Sequence, residues 1–174
     1  MPRVTFVKAA RKDNPVAKKG ESYYWWKFRY GGKRYSLTRP RPSQLTQSAY
    51  YGTVRSLIEQ IEDTDLADND DFVSLRDDIA SQLQELGQET QSSLDNMPDS
   101  LQYSPTGEML QERIDACESA ESDIDSIDEL DDEPEETDYD DEEEFSDAKM
   151  EWLESLENWN AKDDMIEAVA NAEV

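Results

Sequence analysis

Two absences narrow the chemistry open to this chain. It has no histidine, and its one cysteine is Cys117. A Ser-His-Asp triad, a Cys-His pair and an imidazole metal site are excluded. One cysteine can form neither an internal disulfide nor a thiolate zinc site. Cys117 falls on an apolar helical stripe, where it reads as a small core residue rather than a nucleophile. Carboxylates are abundant, but spacing alone does not sort them into acid and base. The run Asp123-Ile124-Asp125-Ser126-Ile127-Asp128 places two calcium ligands correctly, yet lacks the fifth-position donor and the sixth-position glycine of an EF-hand loop. The expectation is a protein that is not an enzyme, with no catalytic residues, no cofactor and no metal site.

Binding chemistry is concentrated near the start of the chain. Residues 22–38 read SYYWWKFRYGGKRYSLT, and seven of the fourteen from Ser22 to Tyr35 are aromatic. Aromatics favour strands, and Gly31-Gly32 can supply the two positive φ angles of a type I′ turn. A two-residue loop would set Tyr30 opposite Lys33, Phe28 opposite Tyr35 and Trp26 opposite Leu37. One face then holds Tyr24, Trp26, Phe28, Tyr30, Tyr35 and Leu37, as core. The other holds Tyr23, Trp25, Lys27, Arg29, Arg34, Ser36 and Thr38. Val4 to Val7 could add a third strand, since an isolated hairpin is marginal in water. Cations neutralise phosphates and release counterions, and rings stack on unpaired bases. The candidate contacts to a DNA or RNA backbone are therefore Tyr23, Trp25, Lys27, Arg29, Lys33 and Arg34. Arg39 and Arg41 join them from the turn Arg39-Pro40-Arg41-Pro42. Lys8, Arg11, Lys12, Lys18 and Lys19 are expected in a flexible arm alongside.

A short sheet with the turn Gly31-Gly32-Lys33-Arg34-Tyr35, followed by a helix, resembles the arm-type DNA-binding domains of phage integrases over about residues 3–62. That resemblance implies three strands packed on one helix. No recombinase catalytic domain can follow, for want of histidine and of basic chain. The phrases KKGESYYWWKFRYGGKRYS, RPRPSQLTQS and SPTGEMLQER are similar to an uncharacterised family of phage-encoded proteins across most of residues 1–116. This implies the cytoplasm of a bacterial host as the setting.

Helices must position the rest. Ser43 or Thr46 can cap a first helix, with Tyr51, Val54, Ile58 and Ile61 as its apolar stripe. After a polar break at 63–71, Phe72, Leu75, Ile79, Leu83, Leu86, Thr90, Leu94 and Met97 recur at steps of three and four, a helical period ended by Pro98. Ser104-Pro105 offers an N-cap with proline at the first helical position. A third stripe follows: Leu110, Ile114, Cys117, Ile124 and Ile127, with a polar gap at Glu121. Narrow stripes of this kind suit a helical hairpin or small bundle first, with a homodimer or partner-binding coiled coil as the second reading.

Residues 121–147 carry 17 acidic side chains and no basic one. Pro134 breaks any helix there, and self-repulsion favours a disordered, solvated linker. A last amphipathic helix, capped by Ser146, presents Trp152, Leu156 and Trp159 either as contacts for a host or phage protein partner or as a face folded back onto the bundle.

The whole chain is 174 residues with a formal net charge of −26. That figure divides into +10 over residues 1–42 and −36 over residues 43–174. No apolar run approaches the ~18 residues of a membrane span, so no membrane contact is expected. The expected fold is α+β: a small N-terminal antiparallel sheet, a helical hairpin or bundle, an acidic disordered linker and a C-terminal amphipathic helix. The segments are 1–42, 43–120, 121–147 and 148–174. The expected function is a phage-type accessory protein contacting nucleic acid through its basic aromatic face, with an acidic tail that modulates binding or recruits a partner. Two alternatives stand beside it. One is an acidic DNA mimic that inhibits a host nucleic-acid enzyme. If helical, the acidic run would present one charge per ~2.4 Å, near the ~1.7 Å of duplex DNA. The other is an assembly protein that docks through its C-terminal helix.

Overall fold

The computed structural model describes the chain except residues 67–68, 132, 136–137 and 140 and the side chain of Asn158. The fold is α+β, with three antiparallel strands followed by helices. The strands are β1 (Thr5–Val7), β2 (Tyr23–Lys27) and β3 (Lys33–Ser36), with β2 in the centre. A 3₁₀ turn, Pro42–Leu45, leads to α1 (Ala49–Asp63). Then follow α2 (Asn69–Asp95), α3 (Asp99–Gln102), α4 (Pro105–Asp125), α5 (Glu142–Asn158) and α6 (Ala161–Ala170). Among the described residues no helix is long and apolar enough to cross a membrane. The chain divides into two compact units, Met1–Glu59 and Gln60–Val174.

In the first unit, residues 8–22 join β1 to β2 as an ordered loop rather than a flexible arm. Hydrogen bonds run from Ala10 N–H to Glu21 O (2.8 Å) and from Gly20 N–H to Ala10 O (2.9 Å). Gly20 has φ of 95°, a conformation that a Cβ would disfavour. The Asn14 side-chain oxygen accepts from the amides of Val16 and Ala17. Asp13 accepts from Lys19 N–H, and Glu21 accepts from Lys18 N–H. The two acidic residues of this basic stretch are thus spent on backbone donors, which fixes the loop.

The helix start also differs from expectation. Ser48, not Ser43 or Thr46, places its hydroxyl as acceptor for Tyr51 N–H in the first turn of α1. Ser43 instead gives its amide (2.9 Å) and hydroxyl (2.7 Å) to the carboxylate of the buried Glu59. A buried charge is tolerated when its lone pairs are filled in this way. The buried face of α1 is Tyr50, Val54, Leu57 and Ile61, one step round from the predicted Tyr51 and Ile58.

In the second unit α2 and α4 pack together, and α6 packs on α4. The α2 stripe is buried from Phe72 through Thr90, while Leu94 and Met97 are half-exposed. On α4, Ile114, Cys117 and Ile124 are buried, and Ala120 fills the gap that Glu121 left in the predicted stripe. Gly87 faces Cys117, so the two helices approach closely. Ser104 caps α4 by accepting from Gly107 N–H, with Pro105 at the first position, as expected.

The acidic stretch departs from a plain linker. Glu121–Asp125 complete α4, and α5 begins at Glu142, so the predicted cap Ser146 lies inside a helix. Asp141 caps α5 by accepting from Glu143 N–H (2.9 Å) and Glu144 N–H (2.8 Å). Three glutamates in the first turn complement the positive end of the helix dipole. The same carboxylates that oppose a helix interior therefore favour a helix start. The single expected C-terminal helix is two helices, α5 and α6, separated at Trp159 and Asn160.

Candidate nucleic-acid interface

The strand register sets which side chains meet. Tyr24 pairs with Ser36, Trp25 with Tyr35, Trp26 with Arg34 and Lys27 with Lys33. This is three residues away from the predicted register. An odd shift leaves the alternation of β2 intact but exchanges the faces of β3. Tyr23, Trp25 and Lys27 accordingly share a face with Lys33 and Tyr35, and with Thr5 and Val7 of β1. Arg34 and Ser36 lie on the opposite face, with Phe6, Tyr24 and Trp26. Trp26 is buried at 4% exposure, as a core residue should be.

The turn explains the shift. Gly31 and Gly32 have no positive φ, so no type I′ hairpin forms. Gly31 N–H bonds to Phe28 O at 3.3 Å, closing a four-residue turn with Arg29 and Tyr30 in its centre. Neither central residue has positive φ, which suits a type I turn, and that turn favours glycine at its fourth position. Phe28 is half-buried and its Cβ lies against Gly31. The loop thus occupies Phe28 to Gly32.

That loop moves Tyr30 out of the predicted core to 84% exposure. The Arg29 guanidinium lies 5.2 Å from the centre of the Tyr30 ring. The Lys33 ammonium lies 4.6 Å from the Trp25 ring centre, and Tyr23 and Tyr35 rings are 6.1 Å apart. Tyr23, Trp25 and Tyr35 are each half-buried. Of the sequence candidates, Tyr23, Trp25, Lys27 and Lys33 are brought to one face, and Arg29 is in the turn. Arg34 is on the other face, and Arg39 and Arg41 flank the buried Pro40 beyond β3. Tyr30 was missed. Its signal was the order Phe28-Arg29-Tyr30-Gly31, which competes with the Gly-Gly turn.

All twelve basic side chains of residues 1–42 are exposed. The ion pairs Arg76–Asp77, Arg76–Glu129 and Lys149–Glu133 lie in the second unit.

The C-terminal candidates are placed differently from a tethered ligand. Trp152 Nε1–H donates to Asp131 O at 2.7 Å, and Trp159 Nε1–H donates to Asp128 O at 3.2 Å. The Trp159 ring meets Phe72 edge-on at 5.1 Å. Leu156 is 40% exposed. With Leu66, Leu130 and Lys162 these three residues line a cavity of about 430 Å³. Both indoles therefore bond to backbone of their own unit, at Asp131 and Asp128. Among the described residues no group of three or more acidic or cysteine side chains is arranged to hold a metal ion. No family model, no curated protein and no solved structure matches this chain.

Proposed function

We propose that this chain is a non-enzymatic accessory protein that contacts nucleic acid through the basic surface of its first unit, while its acidic unit limits that contact or recruits a protein partner. One observation carries this most directly. Twelve exposed cations crowd the first 42 residues, and no carboxylate neutralises those from Arg3 to Arg39 among the described residues. Uncompensated like charges raise the energy of the free state, and a polyanion relieves it while releasing counterions. The two nearby carboxylates, Asp13 and Glu21, are occupied by backbone amides. The half-exposed rings beside Lys27 and Lys33 add apolar contact that a phosphate surface alone would not need.

The acidic-mimic alternative is less well supported. Exposed carboxylates along α4 number six over 21 residues, or about one per 5 Å of helix at ~1.5 Å per residue. Duplex DNA carries one per ~1.7 Å.

Binding of labelled oligonucleotides by the full chain should weaken steeply with salt. Four phosphate contacts predict a loss of roughly 50- to 150-fold between 50 and 200 mM. Replacing Arg29 and Arg34 together by Ala should lower affinity and flatten the slope by about 1.4 to 1.8. Absence of binding at low salt, or binding indifferent to salt, overturns the proposal.

A further inference from the structure

The β2–β3 turn combines three features that a merely solvated loop does not require. Tyr30 sits at its tip with 84% of its surface exposed, where turns usually carry small polar residues. Arg29 lies over this ring at 5.2 Å. So large an exposed fraction leaves the rest of the ring uncovered. At the base of the turn, Lys27 and Lys33 pair directly across the strands. Like charges directly opposite are destabilising, and both ammoniums are exposed. An anion seated between them reverses that penalty. Trp25 is on the same face, its ring centre 4.6 Å from the Lys33 ammonium.

We propose that this turn binds single-stranded nucleic acid, with an unpaired base stacked on Tyr30 and a backbone phosphate held between Lys27 and Lys33. The inference rests on the nucleic-acid reading above and names its substrate class. In a duplex the faces of the bases are already covered by their neighbours, so a protruding tyrosine finds no stacking partner. In a single strand each base has a free π-face, and one aromatic platform accepts any base. The lysine pair supplies the charge to keep the backbone in register beside it. Arg29 holds the ring from its other side. Readout of sequence is not expected, since a stacking platform accepts any base.

The test uses the full chain with three probes: a 20-nucleotide oligothymidylate, a duplex of equal length and inorganic polyphosphate. Oligothymidylate should bind at least tenfold more tightly than the other two at the same salt. Tyr30→Ala should weaken oligothymidylate binding by roughly five- to hundredfold and leave duplex and polyphosphate binding unchanged. Tyr30→Phe should retain it, because stacking needs only the ring. Lys27→Ala with Lys33→Ala should weaken all three probes and lower the oligothymidylate salt slope by about 1.4. Duplex binding equal to single-strand binding, or a Tyr30→Ala chain with wild-type affinity, overturns the single-strand assignment while the polyanion reading stands. Failure of every probe overturns both.

Discussion

Arg76 is held by three contacts at once. Its Nη1 donates to Glu129 at 2.7 Å, its Nε reaches Asp77 at 3.4 Å, and its guanidinium lies 5.6 Å from the Phe72 ring centre. The Glu129 hydrogen bond raises its pKa above the ordinary value against partial desolvation, with Asp77 assisting. A cation with a raised folded pKa gives stability below its unfolded pKa and loses it only as pH rises through the folded one. Arg76 therefore contributes a constant amount across any ordinary pH. Glu129 is about half exposed, so the ion pair is worth less than its short distance suggests. Arg76→Ala should cost about 1–2 kcal/mol, combining a weak ion pair, ring contact and buried stem. Glu129→Gln should cost about 0.5 kcal/mol. Urea midpoints measured at constant slope check both, and an unchanged Arg76→Ala midpoint contradicts the assignment.

Among the elements, the link from α3 into α4 shows how a short connection depends on one glycine. Gly107 sits in the first turn of α4, and a Cβ there would overlap the carbonyl oxygen of Gln102. In an open helix, glycine to alanine gains about 1 kcal/mol. Here the obstacle is backbone, which cannot rotate away, so the clash wins. Gly107→Ala should destabilise the second unit by about 1–3 kcal/mol and disturb the Ser104 cap, which accepts from this residue's amide. Thermal unfolding followed by circular dichroism tests the sign, and a stabilised variant would refute it. Helix existence was legible at this scale: the α2 stripe and the Ser104-Pro105 start were both readable from spacing. Strand register was not. Gly31-Gly32 offers one turn and Phe28 to Gly31 another, and local sequence cannot rank them. The second forms, with Phe28 packed against Gly31.

Across the molecule, charge and unit boundaries coincide. Residues 1–59 carry 13 basic and 3 acidic side chains, net +10, and residues 60–174 carry 4 basic and 40 acidic, net −36. The second unit thus folds against strong self-repulsion, since four basic side chains can pair with few of its 40 carboxylates, as in Arg76–Glu129 and Lys149–Glu133. Screening should relieve the repulsion more than it weakens those pairs. Raising salt from 20 to 500 mM should stabilise this unit by about 1 kcal/mol, roughly 4 °C in Tm. A Tm that falls with salt, by calorimetry, would show that attractive pairs dominate. Sequence alone determined the exclusion of histidine and disulfide chemistry, the polarised charge, the α+β class and the helical stripes. All of these depend on composition or on spacing within one segment. Only the tertiary structure decided the register that exposes Tyr30, the ordering of residues 8–22 by Asp13, Asn14 and Glu21, and the return of Trp152 and Trp159 onto Asp131 and Asp128. The tryptophan contacts join groups 21 and 31 residues apart, and the turn and loop choose among local conformations of nearly equal cost that spacing alone does not rank.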